Sequence, residues 1–245
     1  AIATVLAQIL ALVWQFRIFS DRNELLHFRR GIYRLKGKIV RNVLAIGMSP
    51  FLMNLAACFI VILINKGLKE YGGDLNIGAY GIVNRLGFFF VMIVMGINQG
   101  MQPIAGYNFG AQQYDRVLKV LRLTIVCAVC VTSSGFVVGE FMPHLAVSLF
   151  TTDEELVRLA ADGMRIVFLC FPIIGFQMVA TNFFQSIGMA GKAIFMSLSR
   201  QLVFLLPGLL FLPRVFEAHT DWGGGWGVWC AMPLSDLLAT VVAFF

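Results

Sequence analysis

Charge is scarce in this sequence. Asp, Glu, Lys and Arg together make up 13% of its 245 residues, about half the roughly 25% of a soluble domain. That shortage excludes an ordinary water-facing surface, and with a mean hydropathy of +0.82 it makes the chain an integral membrane protein. Catalytic signatures are missing too: no HExxH, GxSxG or Walker loop and no clustered Cys/His spacing occurs. Neither metal-assisted nor ATP hydrolysis therefore has a residue set to work with, so no enzyme activity and no cofactor is expected. Cys58, Cys127, Cys130, Cys170 and Cys230 all fall in apolar runs. Cys127 and Cys130 form a CxxC, but without a second pair nearby they read as small packing residues, not as redox or metal ligands.

What is present is a succession of long apolar runs, predicting spans near 1–19, 43–64, 77–106, 120–150, 156–187, 193–215 and 226–245. Each is long enough for the ~20 residues of a spanning helix. The runs are much longer than the ~10-residue alternating strands of a membrane barrel, and a backbone in lipid must satisfy its own polar groups. The predicted fold class is therefore an all-α polytopic membrane protein with seven transmembrane helices. The first run opens on AIATVLAQIL with no Met and no basic leader, so it does not read as a signal peptide; the last, VVAFF, stops while still apolar. Both ends read as cut, and the expectation is a piece of a larger bundle.

Thirteen of the 19 Lys and Arg fall in or beside the connections after spans one, three and five, five fall on the alternate side, and Arg85 lies inside a span. By the positive-inside rule the first residue is then outside and the C-terminus cytoplasmic. The net charge of +6 faces lipid headgroups on this reading and calls for no nucleic-acid partner. The basic connection 20–42, with His27, reads as an interfacial helix on the inner leaflet or a plain linker, and divides residues 1–19 from 43–245. EYGGDLN and FTTDEELVR read as short outer loops; in the second, Thr151 or Thr152 caps a helix whose dipole Asp153, Glu154 and Glu155 complement. Trp222, Trp226 and Trp229 suit an outer aromatic belt.

Ionisable groups inside spans are costly, about 2.5 to 3.5 kcal/mol at a helix centre, and point to function. Asp236 is the deepest acid: at 1.5 Å per residue it lies about 15 Å into the last span, near the midplane. It reads either as a carboxylate that takes up H⁺ or Na⁺ in a transport cycle or as half of a structural ion pair, and by depth either Arg85 or Arg200 can reach it. Glu140 and His144 fall at the outer interface. Asn54, Asn84, Gln177 and Asn182, with Phe176 and several Phe and Met, dot an interior able to hold lipophilic cations through dispersion and cation–π contact. Ordinary helix packing explains the same residues. Pro50, Pro172 and Pro207 each interrupt a span.

The block GMQPIAGYNFGAQQYDRVLKVLR from Gly100, with FFQSIGMAGKAIFMSLSRQLVFLLP and GVWCAMPLSD in the same order, resembles the multidrug and toxic-compound extrusion (MATE) transporters. The resemblance implies a twelve-helix antiporter of two six-helix lobes in the bacterial inner (plasma) membrane. It exports lipophilic or cationic drugs in exchange for Na⁺ or H⁺. Residues 1–19 then correspond to the sixth helix, 43–245 to the second lobe, and the partner is the missing first lobe. Some members carry acidic cation ligands in helices seven and ten; 43–64 and 166–187 contain no acid, so that site does not carry over. Gly100, Gln102, Pro103, Gly106, Asn108 and Gly110 are expected to form an inner hinge or gate between the eighth and ninth helices. A lipid-linked oligosaccharide flippase of related fold and a seven-helix receptor are the alternatives.

Overall fold

The computed structural model describes residues 2–21, 35–219 and 224–244. The expected interfacial helix over 20–42 lies largely outside them, as does Trp222. The chain divides into two compact units, Ala1–Gly47 and Met48–Phe245. In the first, α1 (Ile2–Ser20) is mostly apolar, with Gln8, Gln15 and Arg17 as its larger polar residues, and none of its described side chains is buried.

The second unit holds the core. Helix α2 (Gly37–Gly110) runs without a loop where EYGGDLN was expected; its one non-helical residue is Gly73, at φ 69° and ψ −168°. Glycine adopts this left-handed conformation without a Cβ penalty, and one such residue breaks the helix into two arms. The arms fold back on each other, because residues 57–64 and 80–91 line one cavity, whereas a straight helix would hold positions 57 and 91 about 50 Å apart. Asn76 Nδ2 donates to the Gly72 carbonyl at 2.8 Å, satisfying an acceptor beside the break. A side chain at position 72 would land on that amide.

Then follow α3 (Tyr114–Phe141), α4 (Pro143–Ser148), α5 (Glu154–Phe168) and α6 (Phe171–Ser186). Asp153, not Thr151 or Thr152, caps α5, its carboxylate accepting from the Glu155 and Leu156 amides; Thr151 Oγ1 instead accepts from the Asp153 amide. Helices α5 and α6 meet at a 53° bend and together have the length and apolarity of a span, with Pro172 in the first turn of α6, where its missing N–H costs nothing. The next span is α7 (Ala190–Leu198), a π-helical segment Ser199–Leu205, and α8 (Leu206–His219); α9 (Gly224–Phe244) ends the described chain. Pro207 withholds a donor just past the π segment, whereas α2 continues as helix through Pro50. Among the described residues five helices have the length and apolarity of a span, six with the bent pair; separating the arms of α2 brings the tally to seven.

The main core gathers Ile60, Ile64 and Leu68 with Ala79 and Val83 from the two arms, Phe168 and Phe171 from the bend, and Val228 and Trp229 from α9. Trp229 corrects the belt expectation. Its ring is 1% exposed and lies edge-on to Tyr80 at 6.0 Å, because Gly163 leaves room where a Cβ would sit 2.7 Å from the indole. Trp226 is half-buried against the same core.

Small residues let membrane helices close to backbone contact, and Gly227 does this between α9 and α8: a Cβ there would meet Pro213 Cα at 2.6 Å. Neighbouring Gly225 has nothing nearer than 3.7 Å. Gly227→Ala should therefore cost about 1–3 kcal/mol of stability, while Gly225→Ala should leave thermal unfolding close to wild type. Equal melting of the two variants would contradict the close α8–α9 approach.

Candidate functional site

The three irregular stretches surround one cavity of about 350 Å³. The arms of α2 supply Ile60 and Ile64 on one side and Tyr80, Val83 and Asn84 on the other. At the α5–α6 bend, Phe168 and Phe171 stack with centroids 4.1 Å apart and planes at 11°. They can lie there because Gly135 and Gly139 of α3 present no side chain; a Cβ on either would fall within 3.0 Å of a phenyl ring. Arg200 and Gln201 enter from the π segment, Ser235 and Asp236 from α9. The cavity is thus apolar and aromatic over most of its wall and polar at one end, the usual make-up of a small-molecule site.

Arg200 Nε lies 2.6 Å from Asp236 Oδ1, and the side chains are 35% and 5% exposed respectively. Neither atom has an aligned hydrogen bond, so this is a close ion pair set at an angle. A carboxylate so buried carries a desolvation cost of several kcal/mol unless a cation compensates it. The sequence left two candidate partners, and the structure distinguishes them. Arg85 is exposed and makes no ion pair among the described residues. The cavity-lining stripe of its helix runs through Tyr80, Val83, Asn84, Gly87 and Val91, and at 100° per residue Arg85 falls off that face.

Of the expected cavity residues, Asn84 lines the cavity, whereas Asn54, Phe176, Gln177 and Asn182 do not. Asn182 Oδ1 instead accepts from Gln102 Nε2 at 3.3 Å, tying α2 to α6. Gln177 is buried with Oε1 unpartnered. Tyr80, Gln201 and Ser235 were missed, although Tyr80 stands one turn before Asn84, and the other two adjoin Arg200 and Asp236.

The block expected to form the hinge or gate is regular helix. Gly100, Gln102, Pro103, Gly106, Asn108 and Gly110 are all helical, and the chain reverses only over residues 111–113. The left-handed position in that turn is Gln112, at φ 58°, not a glycine. Gly100 and Gly110 face open space, while a Cβ on Gly106 would come within 3.1 Å of the Ser186 carbonyl. Asn108 donates to the Ile104 carbonyl of its own helix. The block is a helix end and a packing seam.

A family model described as MatE matches residues 46–209, more than half the chain, and so covers both arms of α2, the bend and the π segment. This chain belongs to the MatE family. Among curated relatives, the multidrug export protein MepA of Staphylococcus aureus (strain NCTC 8325 / PS 47) is 25% identical over 98% of this chain and 51% of its own length. MepA of Staphylococcus haemolyticus (strain JCSC1435) is 25% identical over 100% and 52%. The chain therefore spans about half the length of the curated relatives it matches. A solved structure of the MATE multidrug transporter DinF-BH superposes with a TM-score of 0.81 at 34% identity, covering 99% of this chain and 53% of that one. An outward-facing multidrug resistance MATE family transporter of the MOP superfamily gives 0.83 at 18% identity, covering 99% and 53%, a likeness of fold. MatE membership accords with a helical membrane protein that has no enzymatic chemistry.

The ion pair is open to a double-mutant cycle read by thermal unfolding. Arg200→Ala strands the buried carboxylate and should cost about 1–3 kcal/mol, below the 3–5 of a fully buried pair because Arg200 is one-third exposed. Arg85→Ala should stay within about 0.5 kcal/mol of wild type. Arg200→Ala and Asp236→Asn should be non-additive by at least ~0.5 kcal/mol; additivity would remove the pair.

Proposed function

We propose that this chain forms the second lobe, with the last helix of the first, of a secondary antiporter. It exports lipophilic cationic drugs and toxic compounds in exchange for H⁺ or Na⁺. The observation that carries the reading is the Asp236–Arg200 pair at the polar end of an aromatic cavity. Phe168, Phe171 and Tyr80 offer rings to an apolar or cationic guest, and Asp236 supplies the one carboxylate in the cavity wall. A coupling ion that neutralises Asp236 from one side of the membrane and leaves to the other would link cation release to the ion gradient. Ionisable groups that share this carboxylate's surroundings are Arg200 on the π segment, Tyr80 in the cavity wall and Cys170 at the start of α6. On this reading the protein lies in the bacterial inner (plasma) membrane with a cytoplasmic C-terminus, works with a first lobe outside the present sequence, and needs no cofactor beyond the coupling ion.

A flippase for lipid-linked oligosaccharides fits less well: a pyrophosphate calls for free cations, and the only guanidinium in the cavity wall is held by Asp236. Nor does a seven-helix receptor suit a chain of the MatE family.

The test is vesicle efflux of tetraphenylphosphonium by the full-length protein under imposed H⁺ or Na⁺ gradients. Asp236→Asn should lower gradient-driven efflux at least about tenfold at equal expression, a loss of roughly 1.4 kcal/mol or more in transition-state stabilisation. Efflux and gradient dependence unchanged from wild type would make Asp236 structural.

A further inference from the structure

We propose that Arg200 is a tethered competitor for the cation site: its guanidinium holds the Asp236 carboxylate until a lipophilic monocation takes its place, so that ligand and Arg200 occupy Asp236 in turn. This rests on the reading that Asp236 receives the transported cation, and adds how the site is kept empty and emptied.

Among the residues lining the cavity, Arg200 and Asp236 are the only ones that carry a formal charge, and together they are neutral. A monocation joining the intact pair would leave a net positive charge in an apolar cavity. Arg200 leaving alone would strand a carboxylate whose side chain is 5% exposed. Both carry the cost of an uncompensated buried charge. Exchange of one cation for the other keeps the cavity neutral at each stage, so it is the low-cost route.

The two partners are unequally held, in the way such exchange requires. Asp236 is fixed inside α9, its backbone carbonyl accepting from Thr240 Oγ1 at 2.7 Å. Arg200 has a side chain 35% exposed, so it is far less enclosed than the carboxylate and is the partner freer to move. Its contact with Asp236 is close but not hydrogen-bond aligned, which forgoes part of the strength an arginine fork can offer a carboxylate.

Arg200 also stands on the one π-helical segment of the described chain, Ser199–Leu205. Moving a π turn along by one residue rotates the side chains it passes by about 100°. That motion carries a guanidinium away from a facing carboxylate without unwinding the span. Gln201, on the same segment, lines the cavity and has a buried Oε1 with no hydrogen-bond partner, an acceptor beside the carboxylate for an incoming cation. A competitor tied to the same protein lowers the apparent affinity for free cation and drives its release.

The test is equilibrium binding of tetraphenylphosphonium, a permanent lipophilic monocation, to purified full-length protein. Removing the competitor in Arg200→Gln should tighten binding at least about tenfold, and Asp236→Asn and the double variant should show no saturable binding. Binding by Arg200→Gln that is unchanged or weaker, with Asp236→Asn still inactive, would overturn the competitor role while leaving the antiporter reading intact. If Asp236→Asn binds and exports like wild type, both fail. Should Arg200→Gln not fold, wild-type protein decides. Phenylglyoxal modification of Arg200, followed by peptide mass spectrometry, should quicken when tetraphenylphosphonium binds and frees the guanidinium. Modification that slows or does not change would overturn the proposal.

Discussion

A carboxyl buried in a bundle whose solvent is lipid needs a cation beside it or a proton on it, and the cavity is built around that requirement. Asp236 sits on α9, and Arg200 reaches it from the π segment. Around the pair, the backbone satisfies itself in helices, and exposed apolar residues such as Leu123 and Val126 are of the kind a helix offers to lipid.

Helix irregularity places that site. Gly73 turns α2 back, so that Ile60 and Ile64 confront Tyr80 and Asn84 across the cavity. The 53° bend between α5 and α6 brings two phenyl rings into a stack on the bare backbone of Gly135 and Gly139. The π segment sets Arg200 and Gln201 on the wall, at a point where Pro207 deprives the following turn of a donor. Each irregularity has a local cause in sequence, and each contributes residues to the same 350 Å³. Regular helices would have put the same side chains elsewhere.

Much of this was legible beforehand. Scarcity of charge and the length of the apolar runs are enough to set the fold class, and helix rise alone singles out Asp236 as a buried acid. The three blocks beginning at Gly100 point to the MatE family that the comparisons establish. Azimuth was not legible: depth makes Arg85 and Arg200 equivalent, and only the packing of each helix separates an exposed side chain from one facing the cavity. Trp229 reads as an interfacial anchor until the slot at Gly163 is seen. Glycine-rich stretches misled in both directions. EYGGDLN holds one break instead of a loop, and the glycines from Gly100 to Gly110 remain helical while Gln112 takes the left-handed turn position. Neighbouring helices and side-chain hydrogen bonds decide such positions, and a single sequence does not display them.

On the proposed reading, the aromatic cavity ending at Asp236 is where this protein holds a cation. A structure of the full-length protein with tetraphenylphosphonium bound tests it most directly. The account predicts the phosphonium between Phe168, Phe171 and Tyr80, its charge toward Asp236, with Arg200 withdrawn to more than about 4 Å from the carboxylate. A ligand bound elsewhere, with the Arg200–Asp236 contact intact at its present 2.6 Å, would contradict it.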